Sequence, residues 1–146
     1  MKITSSAFQE GGAIPEKFSK NGQNVSPELR IEGVPADAKG FAVIVDDPDA
    51  PGGLFTHWLV WNIDPKTTQI AEGSAPAGAA QGKNDFGEIG YGGPQPPSGT
   101  HRYYFKVFAL NGALDLKPGA RRKDVDAAMK GHIIAQGQLM GRYSKK

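Results

Sequence analysis

The stretch Asp46-Asp47-Pro48-Asp49-Ala50-Pro51, together with His57 and His101, holds the side chains best equipped for chemistry. A carboxylate beside an imidazole can hold the ring's Nδ1–H and favour the imidazolium, which is a good anion partner. It can equally receive the cationic end of a zwitterionic ligand, so Asp47 and Asp49 each carry two readings. Tyr103, two residues beyond His101, puts a phenol on the same face of an extended segment. The segment 92–99 is rich in Gly and Pro, and its backbone N–H groups can approach a ligand closely. Oriented amides of that kind favour anions. Phosphate, sulfate or carboxylate is the ligand class that suits this set.

Three apolar runs must position these groups. The run 41–46, Phe-Ala-Val-Ile-Val-Asp, has the length and β-branched content of a buried strand. The run 57–63 has the same character, and 101–110 is the strongest strand signal in the chain. Period-two parity puts Phe41, Val43, Val45 and Asp47 on one face. It puts His57, Leu59, Trp61 and Ile63 on a second, and His101, Tyr103, Phe105 and Val107 on a third. If 41–47 runs antiparallel to the other two, Asp47, His57 and His101 meet at one rim of a sheet. The apolar residues further along the same faces then form the floor.

The rest of the chain is read more briefly. Residues 2–8 alternate weakly as an N-terminal strand, and Leu29-Arg30-Ile31-Glu32 is a short strand closed by Gly33 and Pro35. Regular structure nearly disappears from 64 to 99, and a connection of that length inside one domain is usually functional or mobile. One helix is expected at about 122–130, with Val125, Ala128 and Met129 on one face and Gly131 just past its end. The tail 132–143 reads as a terminal strand. The expectation is a mainly β domain of residues 1–146 with one short helix near the C-terminus.

Composition narrows the classes. The chain has 146 residues, 38% hydrophobic and 22% charged, which fits one folded domain. Its 20 Gly and 11 Pro point to tight turns and long loops. A net charge of +2 gives no reason to expect nucleic acid. With no cysteine, disulfides, thiolate nucleophiles and Cys-ligated zinc are excluded. The first residues lack a signal-peptide apolar region, and no run approaches the ~18 apolar residues of a membrane span. A cytoplasmic location follows as the expectation.

At this point the sequence resembles the phosphatidylethanolamine-binding proteins, in their short bacterial and archaeal, Raf-kinase-inhibitor-like branch. The carriers are Asn24-Val25-Ser26-Pro27, Val45-Asp46-Asp47-Pro48-Asp49-Ala50-Pro51 and His57-Trp58-Leu59-Val60. They continue with Asn84-Asp85-Phe86-Gly87, Gly90-Tyr91-Gly92-Gly93-Pro94 and Pro96-Pro97-Ser98-Gly99-Thr100-His101-Arg102-Tyr103. The resemblance implies two antiparallel sheets, one large and one small, with Greek-key connections and an anion pocket at the mouth of the large sheet. It carries pocket roles onto Asp47, Pro51, His57, Gly93, Pro94, His101 and Tyr103, with Phe55 at an aromatic lining position. It also implies phosphoethanolamine-type head groups or small anions as ligands, and protein kinases or serine proteases as partners that some members inhibit. Gln95 stands where many short members have a cysteine. The chain lacks the long C-terminal helical extension of mammalian members, which removes the basis for carrying over their partner surfaces. A homodimer is left open, with no residue marking an interface.

Blander readings stand beside these. Asp47 to Pro51 is also a rigid turn, with Asp49 its structural member. Arg102 is expected to make a structural ion pair, and His132 to be a turn or surface histidine. Arg121-Arg122-Lys123 is read as a solvated basic face. Catalysis ranks third, as acid–base phosphoester hydrolysis by the Asp–His set. No Gly-x-Ser-x-Gly elbow is present, and Ser98 has no evident base. No metal-ligand spacing or cofactor motif is found, so binding without cofactor or metal ranks first and partner inhibition second.

Overall fold

The computed structural model describes residues 1–146. The central strand is β3, Gly40–Asp47, and all eight of its residues are buried. That explains its unbroken apolar run, because both of its faces are covered. It pairs antiparallel with β4, Phe55–Ile63, on one side and with β7, Thr100–Leu110, on the other. The strand β8, Ile133–Ser144, completes one edge, and the two-residue β6, Ala80–Gln81, the other. The large sheet has the order β6-β4-β3-β7-β8. A small antiparallel sheet orders β1 (Lys2–Thr4), β2 (Leu29–Glu32) and β5 (Gln69–Ile70) as β1-β2-β5.

The inner core lies between the sheets, where Ile3, Leu29, Ile31 and Ile70 meet Phe41, Val43, Val45, Phe105 and Val107. On the opposite face, Ala42, Ile44, Leu59 and Trp61 pack under Val125 and Met129 of the helix α1, Arg122–Met129. Fully burying a side chain of this size is worth roughly 1.5–3 kcal/mol. The helix is followed by Gly131 at φ 82°, a conformation glycine adopts without steric cost. The chain from 64 to 99 contains only β5 and β6, and the N-terminal strand ends at Thr4 instead of running to residue 8.

One expectation about faces is corrected here. His57, Leu59, Trp61 and Ile63 do not share a face, because β4 carries two bulges against β3. Val45 pairs with Trp58 while Asp46 pairs with Thr56, leaving His57 as the extra residue. His57 therefore faces inward with Trp58 and Val60, and Leu59 and Trp61 turn to the helix side. A second irregularity, between Phe41/Ile63 and Val43/Val60, restores Ile63 to the inner face. Asn62 adopts φ 57° there. Its side chain accepts the Leu114 N–H at 2.8 Å and donates to the Leu114 carbonyl at 3.0 Å. An extra residue of this kind flips the alternation beyond it.

Candidate functional site

Where β3 ends, the three acids divide their work. Asp47 Oδ2 lies 2.6 Å from His101 Nδ1, and both side chains are buried. Asp47 Oδ1 accepts the backbone N–H of Asp49 at 2.7 Å, closing the turn. Asp49 itself holds Arg102, accepting its backbone N–H and Nε at 2.9 Å and its Nη2 at 2.8 Å. The Arg102 hydrogen bonds bring the Asp49 carboxyl down to about 2. Asp46 points to the other face of the sheet, where it accepts from Lys106 Nζ at 2.9 Å and Arg122 Nη1 at 3.0 Å.

The bulge sets His57 against a loop. His57 Nδ1 donates to the Gly92 carbonyl at 2.7 Å, and Gly92 N–H donates back to the His57 carbonyl at 2.9 Å. The ring sits among Phe55, Phe86 and Tyr103, with centroids at 5.0, 5.3 and 5.2 Å. Burial lowers its pKa from the ordinary 6.5, against the opposing pull of the Gly92 carbonyl and the Asp47 charge. Burial, reinforced by the Asp47 charge, raises the Tyr103 phenol far above its ordinary range. Tyr103 therefore stays protonated and neutral.

These groups open onto a cavity of about 280 Å³. Asp47, His57, His101 and Tyr103 are its polar residues, apart from Gln95 at the lip. Pro51, Phe55, Phe86, Pro96 and Pro97 form apolar walls, with Ala50 beside them. Six of the residues singled out from the sequence thus surround one space: Asp47, Pro51, Phe55, His57, His101 and Tyr103. Gly93 and Pro94 do not line it. Gly93 N–H is spent on Asn24 Oδ1 at 2.7 Å, and the Pro94 carbonyl accepts from Lys20 N–H at 3.0 Å. A Cβ on Gly93 would overlap the Phe18 carbonyl oxygen, so the glycine serves close packing behind the wall. With Gly92 and Gly93 committed and residues 94, 96 and 97 prolines, the loop offers few amides to a ligand.

Two contributors escaped the sequence reading. Phe86 is placed by Asn84, whose Oδ1 accepts the Phe86 and Glu88 N–H groups at 2.9 and 3.2 Å. Asp85 ties the same loop to β4 by accepting Thr56 N–H at 2.7 Å. The Asn84-Asp85-Phe86-Gly87 turn was the available signal. Arg122, read as part of a solvated face, is instead only 21% exposed and bonds Asp46, Thr56 and Asp126. Nothing local in the sequence marks it apart from Arg121 and Lys123. No three His, Asp or Glu side chains gather in a way that could hold a metal ion.

Comparison with known proteins bears on this arrangement. The family model described as Phosphatidylethanolamine-binding protein matches residues 4–144. The chain belongs to the phosphatidylethanolamine-binding protein family. Among relatives of this family member, a UPF0098 protein of Methanothermobacter thermautotrophicus is 46% identical over 99% of both chains. A UPF0098 protein of Pyrococcus abyssi is 49% identical, covering 100% of this chain and 86% of that one. The crystal structure of a phosphatidylethanolamine-binding protein homologue from Chlamydia trachomatis superposes with a TM-score of 0.94 at 44% identity, covering 99% and 97% of the two chains. That of Escherichia coli YBCL, described as a new member of the mammalian PEBP family, gives 0.93 at 35% identity, covering 99% and 98%. The family's two-sheet, mainly β fold is the fold found here. No helix of the chain is long and apolar enough to cross a membrane.

Proposed function

We propose that the cavity binds a small anion or a phosphorylated head group of the phosphoethanolamine type and performs no turnover. One observation carries the reading: two buried imidazoles and a neutral phenol converge on one cavity, with a carboxylate seated behind one ring at 2.6 Å. Each imidazole has its Nδ1 committed to the protein, which leaves Nε2 for an occupant. Proline and phenylalanine side chains make much of the wall apolar, and a less polar surround strengthens each polar contact. The case against turnover is also geometric. No Ser, Thr or Lys lines the cavity, and both Asp47 oxygens are already occupied, so no aliphatic hydroxyl, amine or free carboxylate is at hand.

Thermal unfolding in the presence of phosphate or phosphoethanolamine tests this. Saturation at a hundred times Kd stabilises by about 2.7 kcal/mol, enough to raise Tm by several degrees. His101→Ala should lose the shift. An undiminished shift in that variant would place the ligand elsewhere.

A further inference from the structure

Two of the five asparagines, Asn21 and Asn111, are followed by glycine. In an Asn-Gly pair the glycine nitrogen can close a five-membered ring on the preceding Asn Cγ, and glycine has no side chain to hinder the approach. The surroundings then decide whether that nitrogen is free and whether the amide carbon is activated. The two sites differ on both counts.

Asn21 is locked. Its Nδ2 donates to the Tyr143 hydroxyl at 3.1 Å, and its backbone N–H donates to Ser19 Oγ at 3.1 Å. Gly22 N–H, which would supply the nucleophile, donates to the Ser19 carbonyl at 3.1 Å. A Cβ on Gly22 would overlap the Glu16 carbonyl oxygen, so the backbone here is closely packed.

Asn111 follows β7 directly, at the end of the strand opposite His101. Its Oδ1 accepts a hydrogen bond from His132 Nδ1 at 2.8 Å. A donor on that oxygen draws electron density from Cγ and faces the negative charge that builds on Oδ1 when a nucleophile adds. The His132 backbone holds the ring in place. Its N–H donates to the Met129 carbonyl at 2.9 Å, and its own carbonyl accepts Asn111 N–H at 3.0 Å. Gly112 N–H has no partner in the protein, and nothing lies within 4 Å of a Cβ built there. Asn111 and His132 are both exposed. Exposed turns without backbone hydrogen bonds move most readily.

We propose that Asn111 is a site of spontaneous deamidation assisted by His132, and that Asn21 is protected. Gly112 N gives its proton to solvent and bonds to Asn111 Cγ. The Cγ–Nδ2 bond breaks, and Nδ2 leaves as ammonia after taking a proton from solvent. Water then opens the resulting succinimide at either carbonyl and returns a proton to the Gly112 nitrogen. An aspartyl or isoaspartyl residue is left at position 111. The balance is one water consumed and one ammonia released, with no oxidant or reductant. A negative charge is thereby added beside His132, away from the cavity.

The folded chain, held at pH 7.5 for several weeks and mapped by mass spectrometry after digestion, provides the test. The peptide carrying position 111 should show the amide-to-acid mass change and split into aspartyl and isoaspartyl forms. The peptide carrying Asn21 should convert roughly tenfold more slowly or less, because its hydrogen bonds must break first. His132→Phe should slow conversion at position 111 by roughly twofold to tenfold, the rate equivalent of one exposed hydrogen bond. In urea both sites lose their surroundings, and their rates in the wild-type chain should converge. If His132→Phe does not fold, the comparison of the two wild-type sites still decides. Equal rates at the two sites of the folded chain, no conversion at position 111, or an undiminished rate in a folded His132→Phe chain overturns the inference.

Discussion

Asp46 and Asp47 are consecutive in the chain and face opposite sides of the large sheet. Asp47 holds His101 at the cavity, while Asp46 joins Lys106 and Arg122 beneath the helix. The alternation of β3 separates them, and the bulge opposite them lets His57 join Asp47 without disturbing Asp46. One strand end thus serves a cavity on one face and an ion-pair cluster on the other.

Asp47→Asn removes the charge behind His101 while preserving shape. The loss of a charge-assisted buried hydrogen bond should cost about 1–3 kcal/mol of stability. The Tm increase produced by phosphate should also shrink. Urea unfolding and melts with and without phosphate measure the two effects separately.

The depressed pKa of His57 makes a signed prediction about acid. The unfolded chain protonates this residue near 6.5 and the folded chain only at lower pH. Its contribution to stability is present above 6.5 and is lost as pH falls through the folded value. Phosphate-free wild-type protein should lose stability between pH 7.5 and 5.5 more steeply than His57→Phe. Parallel slopes in urea titrations at the two pH values would contradict this.

Arg122→Met should destabilise by about 1–3 kcal/mol, because it strips one of two cations from a carboxylate that is 1% exposed. Lys123→Met, at an exposed neighbouring position, should stay within about 0.5 kcal/mol of wild type. The contrast, read from chemical denaturation midpoints, isolates the buried role of Arg122 from a general charge effect.

Gly93→Ala should cost about 1–3 kcal/mol or more, since its Cβ would meet Phe18 backbone that cannot move aside cheaply. Gly52→Ala, where nothing lies within 4 Å of the added carbon, serves as the control with little change. Comparison of their melting temperatures tests whether Gly93 acts through packing.

Much of the fold was legible because its signals are local. The runs that became β3, β4 and β7 are short, branched and bounded by Gly and Pro, and Val125 and Met129 at helical spacing marked α1. Aspartate and histidine at the ends of adjacent strands also pointed to one shared rim, because antiparallel pairing leaves few other arrangements. Period-two reasoning failed at one place. A bulge adds a residue without changing composition, so nothing in 57–63 announced that His57 and Trp58 face the same side.

The sequence alone determined the long strands, the helix, the family and the residue types available at the rim, but not the two-residue strands β5 and β6. Tertiary structure decided how they are used. It joined Arg122 to Asp46 across 76 residues, and it withdrew Gly93 and Pro94 behind the wall. It also gave His57 a carbonyl and His101 a carboxylate as partners. These outcomes depend on which groups are left unpaired once the sheets close. That is a property of the packed chain, since each buried donor or acceptor takes the partner that folding brings within reach.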